Sequence, residues 1–421
     1  VQTSASAAPV AMTQMPSSFY GWRIVAACML LVTVSWSLGT FGMGVYVYAL
    51  TDSRGFSITA VSAAVTAAYM VSAALMISVG RCIMRWGPRL VVAIGALAMA
   101  TGVMAIAYCQ QAWQVYAAFL ILGLGMACLS TNTVGSTLAP WFEHLQGRAM
   151  STAMLGASVG GMLGTPLLMA GIRLWGFQTT ALVAAAVIMT TIVPLAVWVL
   201  KTRPQDMGQL PDGMPATQKK PPTHPIRWKL KDVVATRQFR SHVIGFGLGQ
   251  MVQIGFISHH VSIAIAVLGP QGAAAAVFAA AVAALLGRLL LTRYADQVDI
   301  RKVCAAMFLL AAASLMGMAL LPGPWALLAT SVSFGLTTGN VTTLAPMVIR
   351  REFGAASFGV VFGLAATLTQ LSMALGATLY GVLRDIFGSY GPVLLLCGVL
   401  NVGVAVVVVW GGRAPGRVLR A

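Results

Sequence analysis

Two kinds of side chain in this sequence could do chemistry in an apolar setting, a lone arginine and a pair of histidines. Arg288 stands in Leu285-Leu286-Gly287-Arg288-Leu289-Leu290-Leu291, and apolar residues run back from it to Ala273. A cation at the middle of a bilayer-spanning helix costs about 2.5–3.5 kcal/mol on insertion scales. A guanidinium meets a carboxylate with two parallel hydrogen bonds, so an anion anchor is the chemistry that would repay such a position. The alternative is a structural arginine that extends its head toward the membrane interface. His259-His260 is the second candidate. An imidazole can relay a proton or donate to a carboxylate. Adjacent helical residues point about 100° apart, so one of the two at most faces a cavity squarely.

Neutral polar groups accompany them: Tyr46 and Tyr48, Asn132 with Ser130 and Thr131, Asn340 with Thr337 and Thr338, and Gln370. Each could touch a ligand, and each could equally be an interhelical hydrogen bond or an interfacial anchor. All nine acids (Asp52, Glu143, Asp206, Asp212, Asp232, Asp296, Asp299, Glu352, Asp385) fall in loops or at the ends of apolar runs. No carboxylate inside a run is available to Arg288, so the expected partner is an anionic ligand. The same absence removes the usual proton-carrying acid and leaves the coupling ion open between a proton and a counter-anion. No cofactor, metal or ATP site is expected: there is no metal-ligand cluster and no phosphate-binding loop. Gly156-Ala157-Ser158-Val159-Gly160 imitates a hydrolase signature, but it lies inside an apolar span without the strand–turn–helix context that signature requires. An enzyme is therefore not expected.

The elements that must carry these residues follow from composition. Of 421 residues 58% are hydrophobic and 8% charged, with a mean hydropathy of +0.86. Such a chain is an integral membrane protein. Its apolar runs are continuous, which means helices of about 20 residues and not a strand barrel. Twelve spans are expected, near 22–49, 58–82, 89–109, 113–136, 148–172, 177–200, 241–268, 272–292, 302–321, 325–348, 356–382 and 390–411. The six cysteines stand singly in or near these runs and read as small core residues.

The net charge of +17 is spread between spans, with no basic run interleaved with aromatics, so nucleic acid is not an expected partner; the lipid bilayer is. With both termini in the cytoplasm, Arg54, Arg173 and Arg384 face out, Arg288 lies within a span, and the rest of the 26 Lys and Arg face in. The reverse orientation would violate the positive-inside rule throughout. The expected organisation is a disordered tail over 1–20, a six-helix bundle over 21–200, a flexible basic cytoplasmic linker over 201–240, a second six-helix bundle over 241–411, and a cytoplasmic tail over 412–421. The charge-free first eighteen residues make no secretory leader, so the first span is expected to be its own uncleaved insertion signal.

The halves also repeat. Ser136-Thr137-Leu138-Ala139-Pro140 returns 206 residues later as Thr342-Thr343-Leu344-Ala345-Pro346, and each copy follows a Gly-Leu pair, Gly123-Leu124 and Gly335-Leu336. Parallel six-helix repeats that rock about a midplane site are the build of one large transporter class. Span 5 is rich in small residues (Gly156, Gly160, Gly161 and Gly164 among them) that permit close helix contact and sliding.

Between spans 2 and 3 stands Gly80-Arg81-Cys82-Ile83-Met84-Arg85-Trp86-Gly87-Pro88-Arg89. It resembles the major facilitator loop signature G-x-L-A-D-R-x-G-x-[RK]. The second-half counterpart reads Tyr294-Ala295-Asp296-Gln297-Val298-Asp299-Ile300-Arg301-Lys302. Met84 replaces the first-half aspartate and Gln297 the second-half arginine. In the family this network latches the halves, so Gly80, Arg85, Gly87, Arg89 and Asp296 are the gating-loop candidates here.

Within that superfamily several stretches resemble the monocarboxylate transporter and oxalate–formate antiporter branch: Tyr20-Gly21-Trp22-Arg23, Gly42-Met43-Gly44-Val45-Tyr46, Trp141-Phe142 followed by Gly147-Arg148-Ala149, and Gly381-Val382-Leu383-Arg384-Asp385. The resemblance implies an all-α membrane fold of twelve helices in two pseudo-repeat bundles and a secondary carrier for small organic anions. In that branch an arginine at the place of Arg288 pairs with the substrate carboxylate, and His260 matches a histidine frequent in bacterial members. Ala284 stands where eukaryotic carriers hold an aspartate, and Ala365 where the oxalate carrier has a second cation, which favours a monocarboxylate. Competing readings are a drug or metabolite exporter of the same superfamily, which would ordinarily carry an intramembrane acid, and a non-transporting receptor on the same fold.

Overall fold

The computed structural model describes residues 19–142, 145–213, 230–294 and 299–412. The N-terminal tail, the middle of the basic linker (214–229) and the C-terminal tail lie outside these residues, as do Glu143 and Asp296. Among the described residues there are helices and no strand. Ten long apolar helical stretches are present, and two of them, Arg148–Val199 and Arg237–Leu291, fold back midway. The turns fall at Gly176 (φ 80°) and Gly269 (φ 68°), a left-handed conformation that costs a glycine nothing and a side chain roughly 1–2 kcal/mol. Twelve crossings result. We label them α1 (Gly21–Arg54), α2 (Ile58–Trp86), α3 (Pro88–Tyr108), α4 (Ala112–Leu138), α5 (146–175), α6 (177–199), α7 (237–268), α8 (270–294), α9 (Ile300–Leu320), α10 (324–353), α11 (355–387) and α12 (Tyr390–Trp410).

The starts of these helices are written locally. The hydroxyl of Ser57 accepts from Ala60 N at the start of α2, that of Ser130 from Thr133 N where α4 resumes after a break at Leu129, and the Asp299 carboxylate from Arg301 N at the start of α9. Each thereby satisfies a backbone donor that has no partner in the first helical turn. Pro88 and Pro324 open α3 and α10, where a missing N–H costs nothing. Between α6 and α7 the first stretch of the linker is tied to the first half: Gln209 Oε1 accepts from Tyr20 N, Asp212 N donates to Trp141 O, and Asp212 Oδ1 accepts from Leu145 N. Residues 201–213 are therefore docked, not the free tether that composition suggested.

Glycine sets the helix spacing. A Cβ on Gly123 would lie 2.5 Å from Ala68 O, and one on Gly335 would lie 2.2 Å from Ala280 O. Both pairs are 212 residues apart, so α4 on α2 and α10 on α8 are the same contact made twice. The Ser-Thr-Leu-Ala-Pro repeat does not share this register. Pro140 lies beyond α4, in the turn toward α5, whereas Pro346 is inside α10. Its recurrence reflects two small-residue-rich helix ends, and the glycine pair marks the true equivalence. On the α1–α5 contact, Cβ atoms on Gly156 and Gly160 would meet Met29 O at 2.2 Å and Thr33 O at 2.6 Å. The small residues of span 5 thus serve as the contact strip the sequence led us to expect.

One buried ion pair escaped sequence reading. Arg301, 6% exposed, donates from Nε and Nη2 to the Glu352 carboxylate at 2.5 and 2.8 Å, from Nη2 also to Gln238 O, and from Nη1 to Ser241 Oγ and Val408 O. It ties the starts of α7 and α9 to the ends of α10 and α12.

Candidate functional site

A cavity of about 250 Å³ lies between the first six helices and the last six. Arg288 lines it from α8, Gln370 and Thr369 from α11, Tyr69 and Met76 from α2, and Trp36 from α1. Arg288 reaches both walls. It donates from Nη1 to Met154 O and Ser158 Oγ of α5 at 3.3 and 3.2 Å, and from Nε and Nη2 to Gly339 O and Thr342 Oγ1 of α10 at 3.3 Å each. Backbone carbonyls and hydroxyls, small enough to fit beside a half-buried guanidinium, accept these four bonds. These four contacts are long for bonds from a charged donor, which reach about 2.7–2.9 Å when the acceptor is an oxyanion.

Of the other sequence candidates, Gln370, Ser130 and Thr131 share the cavity, whereas His259, His260, Tyr46, Asn132 and Asn340 are held elsewhere. His260 Nε2 bonds Ser331 Oγ at 3.0 Å, and its ring lies 4.5 Å from that of Phe256. It borders a separate small void with Phe41, Val277 and Phe334. His259 is engaged at the interface of the halves: Nδ1 meets Tyr390 OH at 3.0 Å, and Nε2 meets Ala377 O at 3.1 Å and Ser62 Oγ at 3.2 Å. A carbonyl only accepts, so Nε2 carries the hydrogen and Nδ1 accepts from the tyrosine. Asn132 donates to Met76 O at 3.1 Å and joins α4 to α2. Asn340 donates to Met307 Sδ at 3.4 Å. Tyr46 is 1% exposed with its ring 6.5 Å from Phe177. These positions are too tightly packed to open onto the same space. Ala365 is fully buried and packs with Val233, Phe239 and Ile349, while its neighbour Ala366 faces the cavity.

The gating-loop residues that are described hold the α2–α3 turn. Gly87 makes it with φ 80°. Arg89 Nε donates to Leu200 O at 2.6 Å, Arg85 lies over the Trp86 ring, and a Cβ on Gly80 would reach Asn132 Nδ2 at 3.4 Å. Arg89 and Arg301, 212 residues apart, each donate to a carbonyl at the end of the sixth or twelfth helix.

Away from the linker, the two halves are pressed together. Asp385 Oδ2 accepts from Thr59 N at 3.2 Å and from its hydroxyl, and Thr378 Oγ1 bonds Thr66 Oγ1 at 2.7 Å. A Cβ on Gly381 would lie 2.6 Å from Ser62 Oγ. The cavity occupies the other end, from Thr369 at depth to His242 and Pro346 near the linker. The two equivalent sets of six helices are thus closed against each other at one end and hollow at the other.

Residues 25–377 match the family model described as the Major Facilitator Superfamily. The chain belongs to that superfamily. Among curated relatives, human monocarboxylate transporter 11 is 27% identical over 91% of this chain and 81% of its own length, and bovine monocarboxylate transporter 13 is 23% identical over 75% and 71%. A crystal structure of a mutant nucleoside transporter, NupG, superposes with a TM-score of 0.72 at 13% identity, covering 94% of this chain and all of that one. At that identity the match speaks for the fold alone. This major facilitator protein is thus a multi-pass membrane transporter of a small molecule, not an enzyme, and it resembles the monocarboxylate transporter branch.

Proposed function

We propose that this transporter is a secondary carrier of small organic anions, monocarboxylates first among them, and that Arg288 binds the substrate carboxylate. The observation that carries this reading is the place of the guanidinium: it lines the cavity between the halves and hydrogen-bonds to α5 of the first half and to α10 of the second. A carboxylate arriving there exchanges four long bonds to neutral oxygens for shorter, charge-assisted ones. It also competes with the bonds from Arg288 to Met154 and Ser158 that tie the halves together at this depth. Substrate binding and the rocking of the halves then share one residue, so that differential affinity for the two states can shift their populations.

The orientation follows from charge. Placing the linker and both termini in the cytoplasm of a cell-membrane protein satisfies the positive-inside rule, and the cavity then faces the cytoplasm. Gln370 is a second polar contact for the anion on the α11 wall. Uptake of labelled lactate, pyruvate, formate and oxalate into proteoliposomes, with and without a pH gradient, tests the reading. Transport by wild-type protein, its loss in Arg288→Ala and a much weakened uptake by Arg288→Lys are expected. Normal transport of every accepted anion by both variants would overturn the anchor.

A further inference from the structure

The repeat exposes an asymmetry in the cavity. At the 212-residue offset of the glycine contacts, Arg288 corresponds to Met76 and Thr342 to Ser130, and all four line the same space. One wall therefore presents a cation where its equivalent presents a thioether. Around Met76 the first half adds Met126, Met154 and Trp36. Thioethers are polarizable and flexible, and they adapt to flat apolar bodies better than branched side chains do.

Trp36 is put there by a defect in α1. Residues Trp36–Thr40 form a π-helical turn between the α-helical parts of the span, a feature that is found disproportionately at functional sites. Ser37 Oγ donates to Gly160 O at 3.0 Å and holds the turn against α5. The Trp36 ring lies 6.2 Å from that of Phe41 and is partly exposed on the cavity side.

Tyr69 supplies an independent observation. It lines the cavity, is 2% exposed, and its hydroxyl has no fully formed hydrogen bond among the described residues, with Thr40 close by. A buried hydroxyl ordinarily finds a partner in protein, water or ligand. The space is also generous: at about 250 Å³ it is far larger than a single water needs, so a three-carbon acid fills only part of it.

We propose that the substrate is a monocarboxylate with an aromatic or similarly bulky apolar body, seated against Trp36 and the first-half methionines, with the Tyr69 hydroxyl bonding a hydroxyl, keto or amino group on it. This rests on Arg288 as the carboxylate contact. The closing experiment separates the two claims.

Full-length protein in detergent is tested by equilibrium binding of labelled 3-phenyllactate, with lactate, 3-phenylpropionate and 2-phenylethanol as competitors. Phenyllactate is expected to bind at least about tenfold tighter than lactate, an effect of the size ring contacts supply, and the alcohol is expected not to compete. Trp36→Ala should shrink the phenyllactate-to-lactate ratio about fivefold or more, with Trp36→Phe in between. Tyr69→Phe should bring the phenyllactate-to-phenylpropionate ratio near one. If wild-type protein prefers lactate or binds both acids equally, the proposal falls while the anchor stands. It falls in the same way if Trp36→Ala and Tyr69→Phe leave their ratios unchanged while Arg288→Ala abolishes binding. Full phenyllactate binding by Arg288→Ala removes the anchor and the proposal with it, as does the absence of binding by either acid.

Discussion

Arg288 and His259 show how differently two polar residues can be used in one membrane interior. The guanidinium is hydrogen-bonded to both halves, at distances a carboxylate would improve on. Arg288→Lys retains the charge but loses the planar fork. Losing one charge-assisted bond at about 1.5–3 kcal/mol should raise the apparent KM for a carboxylate about ten- to hundredfold, measured as uptake in proteoliposomes. His259 is committed to Tyr390, Ala377 and Ser62. Replacing it with alanine strands a buried hydroxyl and carbonyl at about 1–3 kcal/mol each. A fall in detergent thermal stability is expected, with the variant still able to bind substrate at Arg288. A stable His259→Ala that no longer binds would instead put that ring at the ligand. That Arg288 lines the cavity was legible in sequence, because a lone cation in an apolar run seldom faces lipid. The histidine choice was not, since the direction each ring faces depends on the rotation of α7 against α11 and α12.

At the scale of elements, the spans and their order follow from hydropathy, glycine turns and caps, and these are local. The gaps in that reading are long-range. Arg301 looked like one more basic residue at a span edge, yet it is buried against Glu352, 51 residues on. Arg301→Met leaves that carboxylate buried without its ion partner and should destabilise the second half by about 3–5 kcal/mol. Arg301→Met/Glu352→Leu should recover much of the loss, because a well-packed apolar pair often replaces a buried ion pair at little cost. Thermal unfolding of the two variants side by side tests this. Gly156 makes a complementary case, where a side chain of any size runs into Met29 O. Gly156→Val should separate α5 from α1 and lower stability by about 1–3 kcal/mol, with a matching loss of transport by the protein that remains folded. If Gly156→Val left both thermal stability and uptake at wild-type levels, the glycine strip would not be the constraint described.

For the whole molecule, the question is which end opens. The linker-distal end is closed by Asp385 with Thr59, Thr378 with Thr66 and His259 with Ser62, each pair crossing between the halves. Thr59→Val together with Asp385→Asn removes the first of these. In a background without the six native cysteines, a Thr66→Cys reporter should then react several-fold faster with a membrane-impermeant maleimide added from outside, as the population moves toward the outward-open state. An unchanged rate would assign the closure to the contacts that remain, His259 with Ser62 and the packing of Gly381 and Gly44 against Ser62 and the Ile257 carbonyl.

Sequence by itself determined that this is a twelve-helix membrane protein of the major facilitator type, with one deep arginine and the likeness of a monocarboxylate carrier. Composition, charge placement and short loop motifs are enough for that, because insertion into a bilayer acts on each span almost independently. Tertiary structure alone decided which polar residues meet. It brought Arg288 and Gln370 to one cavity and withdrew His260, Tyr46, Asn132 and Asn340 into packing contacts. It also turned Trp36 and Tyr69 toward the cavity. Whether a helical side chain faces a cavity depends on a rotation of its helix that is set by glycine contacts tens to hundreds of residues away. Gly123 on Ala68, Gly335 on Ala280 and Gly160 beside Trp36 set those rotations, and no local pattern in the chain announces them.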